Sequence, residues 1–390
     1  MKKAFVIIPT YNERENILKV IPILLETFKQ IKNWEMNILV VDDTSPDKTA
    51  DVVKDFAKKY KQVHLVLNKK KSGLGGAYLR GMDQAFHEYG ADVVFEFDAD
   101  LSHNPAKIPE FLRKIDEGYD MVLGSRYIPG GGIPEDWGLH RKFLSVVGNF
   151  VIMVILTNFT IRDWTGGYRA ITRKVYDAVE PEMHDEKFTG YTFQIGFLHK
   201  AVKKGFKIIE IPFKFVDRTI GVSKLGNEYI KNNLLYLFKV RGKEIAQNRI
   251  FKFVITGGIG ALVQLLSLFL WRAILPYELA VFMSIETAIV SNFIFSNIWT
   301  FSDRKLKASQ YPSKFVQFNL ASGGSILIQV VIAFLGKNLI GLFELFRLPV
   351  VQVVIDTGMI YAVVGILVGM FWNFFAYTTL IWKKPTESHA

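Results

Sequence analysis

The sequence predicts an α/β domain built on a mostly parallel sheet, followed by amphipathic interfacial helices and an all-α domain of four transmembrane helices. Three observations carry this expectation. Charge is unevenly spread: residues 1–249 hold 38 Lys and Arg with 31 Asp and Glu, whereas residues 250–390 hold only ten and six. In the first part, short apolar runs alternate with segments of helical period. The second part contains four stretches with one charge or none, each about the 20 residues that cross a bilayer core at 1.5 Å rise per residue.

Taken in order, Ala4–Pro9, Met36–Asp42, His64–Asn68, Val93–Asp98 and Asp120–Ser125 read as strands, with helical segments near 13–30, 47–60, 75–89 and 106–117. Strands this apolar belong in a parallel sheet covered on both faces. Ligands of such sheets bind beyond the carboxyl ends of the strands. The residues found there are polar: Thr10-Tyr11-Asn12-Glu13, Asp42-Asp43-Thr44-Ser45-Pro46-Asp47, Asp98-Ala99-Asp100 and Ser125-Arg126-Tyr127. Two aspartates closing an apolar strand can share a divalent cation with phosphate oxygens. The run Gly73-Leu74-Gly75-Gly76 lacks the spacing of a dinucleotide fingerprint and reads as a loop near a ligand or as turn punctuation.

The expected spans are Phe253–Trp271, Leu279–Ser302, Phe315–Gly336 and Thr357–Trp382. Basic residues cluster before the first (Arg241, Lys243, Arg249, Lys252), between the second and third (Arg304, Lys305, Lys307, Lys314) and after the fourth (Lys383, Lys384). The positive-inside rule then places both termini and the middle connector in the cytoplasm. The first apolar run is too short for a signal peptide, so the amino-terminal domain is expected on the cytoplasmic face of the plasma membrane. Glu286, inside the second expected span, and Asp356, at the edge of the fourth, are read as intramembrane charges, where ionisable groups are costly. The chain has no cysteine, which excludes disulfides, thiolate metal sites and a cysteine nucleophile.

The runs PTYNE, VVDDTSPD, DADLSHNP and GSRY resemble the family 2 glycosyltransferases of the GT-A (Rossmann-like) fold. His103, Trp164–Arg169, Tyr191–Ile195, Val216-Asp217-Arg218 and Ser223-Lys224-Leu225 narrow the resemblance to dolichol-phosphate and polyprenyl-phosphate mannose synthases, over about residues 4–240. The four spans, with Asn297–Phe301 ending the second, resemble the GtrA-like membrane family. The resemblance implies that Pro9, Tyr11, Glu13, Val41 and Asp43 line the base and ribose of a sugar nucleotide. It implies that Asp98, Ala99 and Asp100 meet Mg²⁺ or Mn²⁺ and the diphosphate, and that Arg126, Arg218 and Lys224 contact phosphate or sugar oxygens. Where some relatives carry a polar amide two residues after the second aspartate, this chain has Ser102, a third candidate metal ligand. Asp100 and Arg126 are the candidate catalytic residues. Arg126, Arg141 and Ser145 are the candidates for an acceptor phosphate, with Lys142 beside them.

Phe143–Ile161 is uncharged and long enough for a fifth span. A span there would separate Arg162–Lys224 from Asp98 across the membrane, so an interfacial helix over about 139–160 fits better. Tyr229–Val240 reads as a second one; core-packing helices would carry the same pattern. The expected domains are 1–225 (catalytic), 226–249 (second interfacial helix and linker) and 250–385 (membrane). The expected partners are GDP-mannose, dolichol or polyprenyl phosphate and the bilayer, with no nucleic acid. A UDP-glucose or UDP-GlcNAc donor, or a non-catalytic sugar-nucleotide-binding or lipid-transport protein, stays open on the sequence.

Overall fold

The computed structural model describes residues 1–183, 192–217, 227–347 and 354–383. It divides into two units, Met1–Arg241 and Gly242–Ala390. The first unit holds β1 (Lys2–Thr10), α1 (Arg14–Phe28), β2 (Trp34–Asp42), α2 (Thr49–Lys59), β3 (Val63–Leu67), α3 (Gly73–Asp83), β4 (Val93–Glu96), α4 (Ile108–Asp116) and β5 (Met121–Ser125). It continues with α5 (Leu139–Ile155), β6 (Arg169–Thr172), α6 (Arg173–Val179), α7 (Thr192–Lys203) and β7 (Ile208–Pro212), and α8 (Asn227–Gln247) runs past its end. The five expected strands are present. β6 and β7 were not legible as strands from the sequence.

The sheet order is β3-β2-β1-β4-β6-β5-β7. Only β6 runs antiparallel, hydrogen-bonded to β4 on one side and β5 on the other. The physical reason for the apolar strands is visible in β1. Phe5 and Ile7 enter the core that includes Tyr78, Ile152 and Phe193, while Ala4, Val6 and Ile8 enter the opposite core with Ile17, Val20 and Phe111. A strand buried on both faces has no polar alternation to show. Each such side chain contributes about 1.5–3 kcal/mol of burial.

Gly73–Gly76 is neither a free loop nor punctuation but the first turn of α3. Gly73 takes a φ of 75° and Gly75 serves close packing against Phe193, and Gly81 later in the helix does the same against the sheet. A Cβ at Gly81 would lie 2.7 Å from Ile7 Cγ2 and 2.9 Å from Val41 Cγ2. In an exposed helix Gly→Ala stabilises by up to about 1 kcal/mol. Here overpacking reverses the sign, and Gly81→Ala is expected to destabilise by about 1–3 kcal/mol in denaturant titration.

The second unit comprises α9 (Arg249–Trp271), α10 (Tyr277–Phe295), α11 (Tyr311–Leu339), an antiparallel pair of β8 (Glu344–Arg347) and β9 (Val354–Asp356), and α12 (Thr357–Ala376). Among the described residues three stretches are long and apolar enough to cross a membrane: Arg249–Trp271, Ala308–Leu339 and Val363–Ile381. The second expected span, Leu279–Ser302, falls on α10 and the π-turn Ser296–Thr300 that follows it. The unit has an apolar exterior as well as a buried core of Phe293, Phe301, Phe318 and Trp382. Leu265, Leu266, Phe269, Leu327, Val330 and Phe334 face outward. Polar side chains pair within: Thr256 with Thr300, Ser322 with Tyr377, and Asn297 with Tyr311 and Trp382. Polar groups in hydrocarbon must find partners inside the protein. Asp356 does not sit within a span as expected. It ends β9, opposite Glu344, just before α12. Glu286 does lie at the middle of α10.

Candidate active site

Because β1, β2, β4, β5 and β7 are parallel in direction, their carboxyl ends converge on one edge, where β6 also begins. Non-glycine residues in the left-handed region gather there: Asn12, Thr44, Lys48 and Leu101, with φ between 58° and 65°. Strain of this kind persists where the surroundings over-determine it, commonly at functional sites.

On the β1–β2 side, Asp42 is a latch. Its Oδ2 accepts from Thr10 Oγ1 at 2.9 Å and Ser45 Oγ at 2.6 Å, and its Oδ1 accepts the Ser45 amide. Tyr11 lies half-buried under the Lys71 ammonium, 3.8 Å from the ring centroid. Glu13 accepts from Asn16, and Pro9 is partly exposed at the strand end. Two of the expected ligand residues are engaged within the fold. The Val41 side chain is wholly buried in the core against Gly81, leaving only its main chain to face a ligand. Asp43 is buried and receives Asn68 Nδ2, Ser72 Oγ and the amides of Ser72 and Gly73. Its carboxylate therefore closes the start of α3.

On the β4 side, Asp98 and Asp100 are both partly exposed at the edge, with Ala99 buried between them. Asp98 Oδ1 accepts from Tyr78 Oη at 3.1 Å, and Asp100 Oδ1 accepts the Ser102 amide at 3.0 Å. His103 is buried, stacked on Tyr168 at 4.8 Å, and its Nδ1 accepts the Asp98 amide. Burial lowers the His103 pKa against the pull of Asp98 and Asp100. The loop is suited to a hard cation. Its available donors are two carboxylates and the buried Ser102 hydroxyl, which has no hydrogen-bond partner among the described residues. An all-oxygen set with a histidine nitrogen already engaged fits Mg²⁺ or Mn²⁺.

Arg126, expected to face phosphate, has its guanidinium engaged by Asp163. Nε donates to Oδ2 and Nη2 to Oδ1, both at 2.8 Å, and Nη2 also reaches Thr165 Oγ1. Asp163 further accepts the amides of Arg126 and Gly166. Burial pushes its carboxyl up, but the Arg126 charge and these hydrogen bonds outweigh it and hold the pKa below the ordinary range. Glu210 on β7 accepts the amides of Arg162 and Asp163 and so fixes that loop from behind. Asn149 of α5 accepts the Trp164 amide and donates to Thr165. Arg169 is wholly buried, and its fork donates to the carbonyls of Trp164, Gly166 and Gln194. Its Nε lies 3.8 Å from Glu96, which burial raises to a pKa of about 7 although Arg169 pulls it down.

Arg141 opens α5. It stacks on Trp137 at 3.7 Å and donates to Asp217 at 2.8 Å, which Trp137 Nε1 also contacts. Ser145, one turn along, shares a hydrogen bond with Tyr127, and Lys142 donates to the Glu135 carbonyl. Arg218 and Lys224 lie outside the described residues, as do Tyr191, Ser223 and Leu225. Reading the sequence missed Asp163, Tyr78, Asn149 and any role for Asp217. Asp163 stands directly before the Trp164–Arg169 motif, its only signal.

A two-carboxylate edge on a mostly parallel sheet, followed in the chain by a helical unit with an apolar exterior, is the arrangement expected of a membrane-bound glycosyltransferase. The comparisons agree. Residues 5–179 match the model of glycosyl transferase family 2, and residues 252–382 match the GtrA/DPMS transmembrane domain. The chain is 34% identical to a dolichol-phosphate mannosyltransferase of Pyrococcus furiosus, over 87% of this chain and 95% of that one. It is 38% identical to a polyprenol monophosphomannose synthase of Mycolicibacterium smegmatis, over 61% and 86%. It is 36% identical to an undecaprenyl-phosphate mannosyltransferase of Micrococcus luteus, over 57% and 88%. The chain belongs to glycosyl transferase family 2, in the membrane-linked group whose curated members carry these names.

Proposed function

We propose that the protein transfers mannose from GDP-mannose to a polyprenyl phosphate such as dolichol phosphate, with inversion, at the cytoplasmic face of the plasma membrane. The relatives' names support the sugar and the acceptor class, and helix α5 supports the lipid. Its inner face packs Asn149, Ile152 and Met153 into the protein, while Leu139, Phe143, Val146, Phe150 and Val154 form an exposed apolar stripe. A stripe at this spacing next to Arg141 suits a bilayer surface, and it ends at the arginines that an acceptor phosphate needs. α8 adds exposed Leu235 and Phe238 while burying Leu237. Four spans, α9 to α12, would anchor the chain with its basic connectors inside.

A divalent cation on Asp98 and Asp100, with Ser102 near, would neutralise charge growing on the departing diphosphate. Arg126, held rigid by Asp163, presents a fixed positive edge between donor and acceptor. The acceptor oxygen forms the bond to the anomeric carbon as the carbon–oxygen bond to the diphosphate breaks, and the electron pair leaves with GDP. Attack opposite the leaving group inverts the centre to a β-linkage. A phosphate monoester has its second pKa near about 6 and is already anionic, so no side chain has to remove a proton.

The test incubates purified protein with polyprenyl phosphate and radiolabelled GDP-mannose, UDP-glucose and UDP-GlcNAc in turn. Labelled lipid from GDP-mannose alone is expected. Label only from a UDP-sugar overturns the donor, and tight nucleotide binding with no transfer overturns the enzyme. Arg141→Ala is expected to lower kcat/KM by roughly ten- to a hundredfold, the loss of one charge-assisted contact, with GDP affinity nearly unchanged in calorimetry. A chain ending near Arg249 should still mannosylate a short, detergent-soluble acceptor, and should slow on long-chain lipid in membranes.

A further inference from the structure

Two motifs take no part in the chemistry above, the Gly73–Gly76 run and the Thr192–Ile195 segment, yet they meet beside Asp98. At Gly75 a Cβ would lie 2.9 Å from Cβ and Cγ of Phe193. The missing side chain lets α3 close onto α7. One turn later the Tyr78 ring lies parallel to Phe193, with centroids 6.0 Å apart and planes inclined by 10°. Tyr78 is wholly buried, and its hydroxyl donates to Asp98 Oδ1 at 3.1 Å. Asp98 Oδ2 lies 3.7 Å from His103 Nε2. Because His103 Nδ1 accepts the Asp98 amide, the ring proton sits on Nε2 and faces that carboxylate. At its other end α3 begins with the Ser72 and Gly73 amides on Asp43.

We propose that Tyr78 is a positioning residue: its hydroxyl, aimed by the Gly75–Phe193 contact, fixes the Asp98 carboxylate for a divalent cation. The helix α3, tied to Asp43 at its first turn and to Asp98 through Tyr78, thereby keeps the nucleoside and diphosphate ends of the donor site in register. This rests on the reading that Asp98 holds the cation. A buried hydroxyl left without a partner is costly, so the bond is built into the fold rather than made on demand. Hydrogen-bond partners of a metal-binding carboxylate typically carry ten- to a hundredfold in metal affinity.

The test titrates Mn²⁺ into the full-length protein in detergent micelles with GDP present, read by electron paramagnetic resonance, and titrates GDP with chelator present by calorimetry. Tyr78→Phe keeps the ring on Phe193 and removes only the hydroxyl. It is expected to weaken Mn²⁺ binding about tenfold while leaving metal-free GDP binding unchanged. Gly75→Ala keeps the hydroxyl but displaces α3 from α7, and is expected to weaken both. Wild-type Mn²⁺ affinity in a folded Tyr78→Phe protein overturns the proposal, and so does wild-type affinity in a folded Gly75→Ala protein. Wild-type protein that takes up no Mn²⁺ overturns the reading of Asp98 itself, and this inference with it.

Discussion

Asp100→Ala is expected to lower kcat/KM for mannosyl transfer by about a thousandfold, even at saturating Mg²⁺ or Mn²⁺. On the proposed mechanism charge on the departing diphosphate is met at the sheet edge, and electrostatic stabilisation in such sites contributes several kcal/mol, with each 1.36 kcal/mol a factor of ten. The fold should tolerate the change. Asp100 is partly exposed, and the bond it accepts comes from the Ser102 amide within its own loop. Circular dichroism should therefore match the wild type while the label incorporated into lipid falls. Full activity in a folded Asp100→Ala protein would remove the carboxylate from the reaction.

Much of this arrangement was legible because its signals are local. An apolar run ending in Asp98-Ala99-Asp100 needs only strand period and the rule about carboxyl ends to be read as a site. Three of the four expected spans coincide with helices long and apolar enough to cross a membrane, and length and missing charge sufficed to read them. What escaped depends on contacts between distant residues. β6 is four residues long and antiparallel in a parallel sheet, so alternation and length say nothing about it. The resemblance names Val41 and Asp43 as ligand residues, but the sequence does not tell that the Val41 side chain packs into the core and that the Asp43 carboxylate holds the start of α3. The Gly73–Gly76 run looks like a loop in composition, and only the opposing Phe193 and the sheet show why a helix there needs glycine. Asp163 is 37 residues from the arginine it holds, and no spacing rule connects them.

That last pair supplies the second large effect. Asp163 is wholly buried and the Arg126 side chain is 11% exposed, so Asp163→Ala strands a guanidinium in the protein. Breaking a buried pair from one side costs about 3–5 kcal/mol, which for a unit of this size lowers the melting midpoint by roughly 10 °C. The pair is also pH-sensitive in a defined direction. Since the folded carboxyl titrates below its ordinary value, its stabilisation is present above the unfolded pKa of about 3.9 and is lost as pH falls through the folded value. Asp163→Asn, which cannot ionise, should show a shallower loss of stability in that acid range. The joint replacement Arg126→Met with Asp163→Leu removes both charges and should recover much of the stability, as apolar substitutes for buried ion pairs do. It should not recover transfer to polyprenyl phosphate, because on the proposed mechanism Arg126 is the fixed cation between donor and acceptor. Wild-type turnover in that doubly substituted protein would place the acceptor phosphate elsewhere and make Arg126 a structural residue.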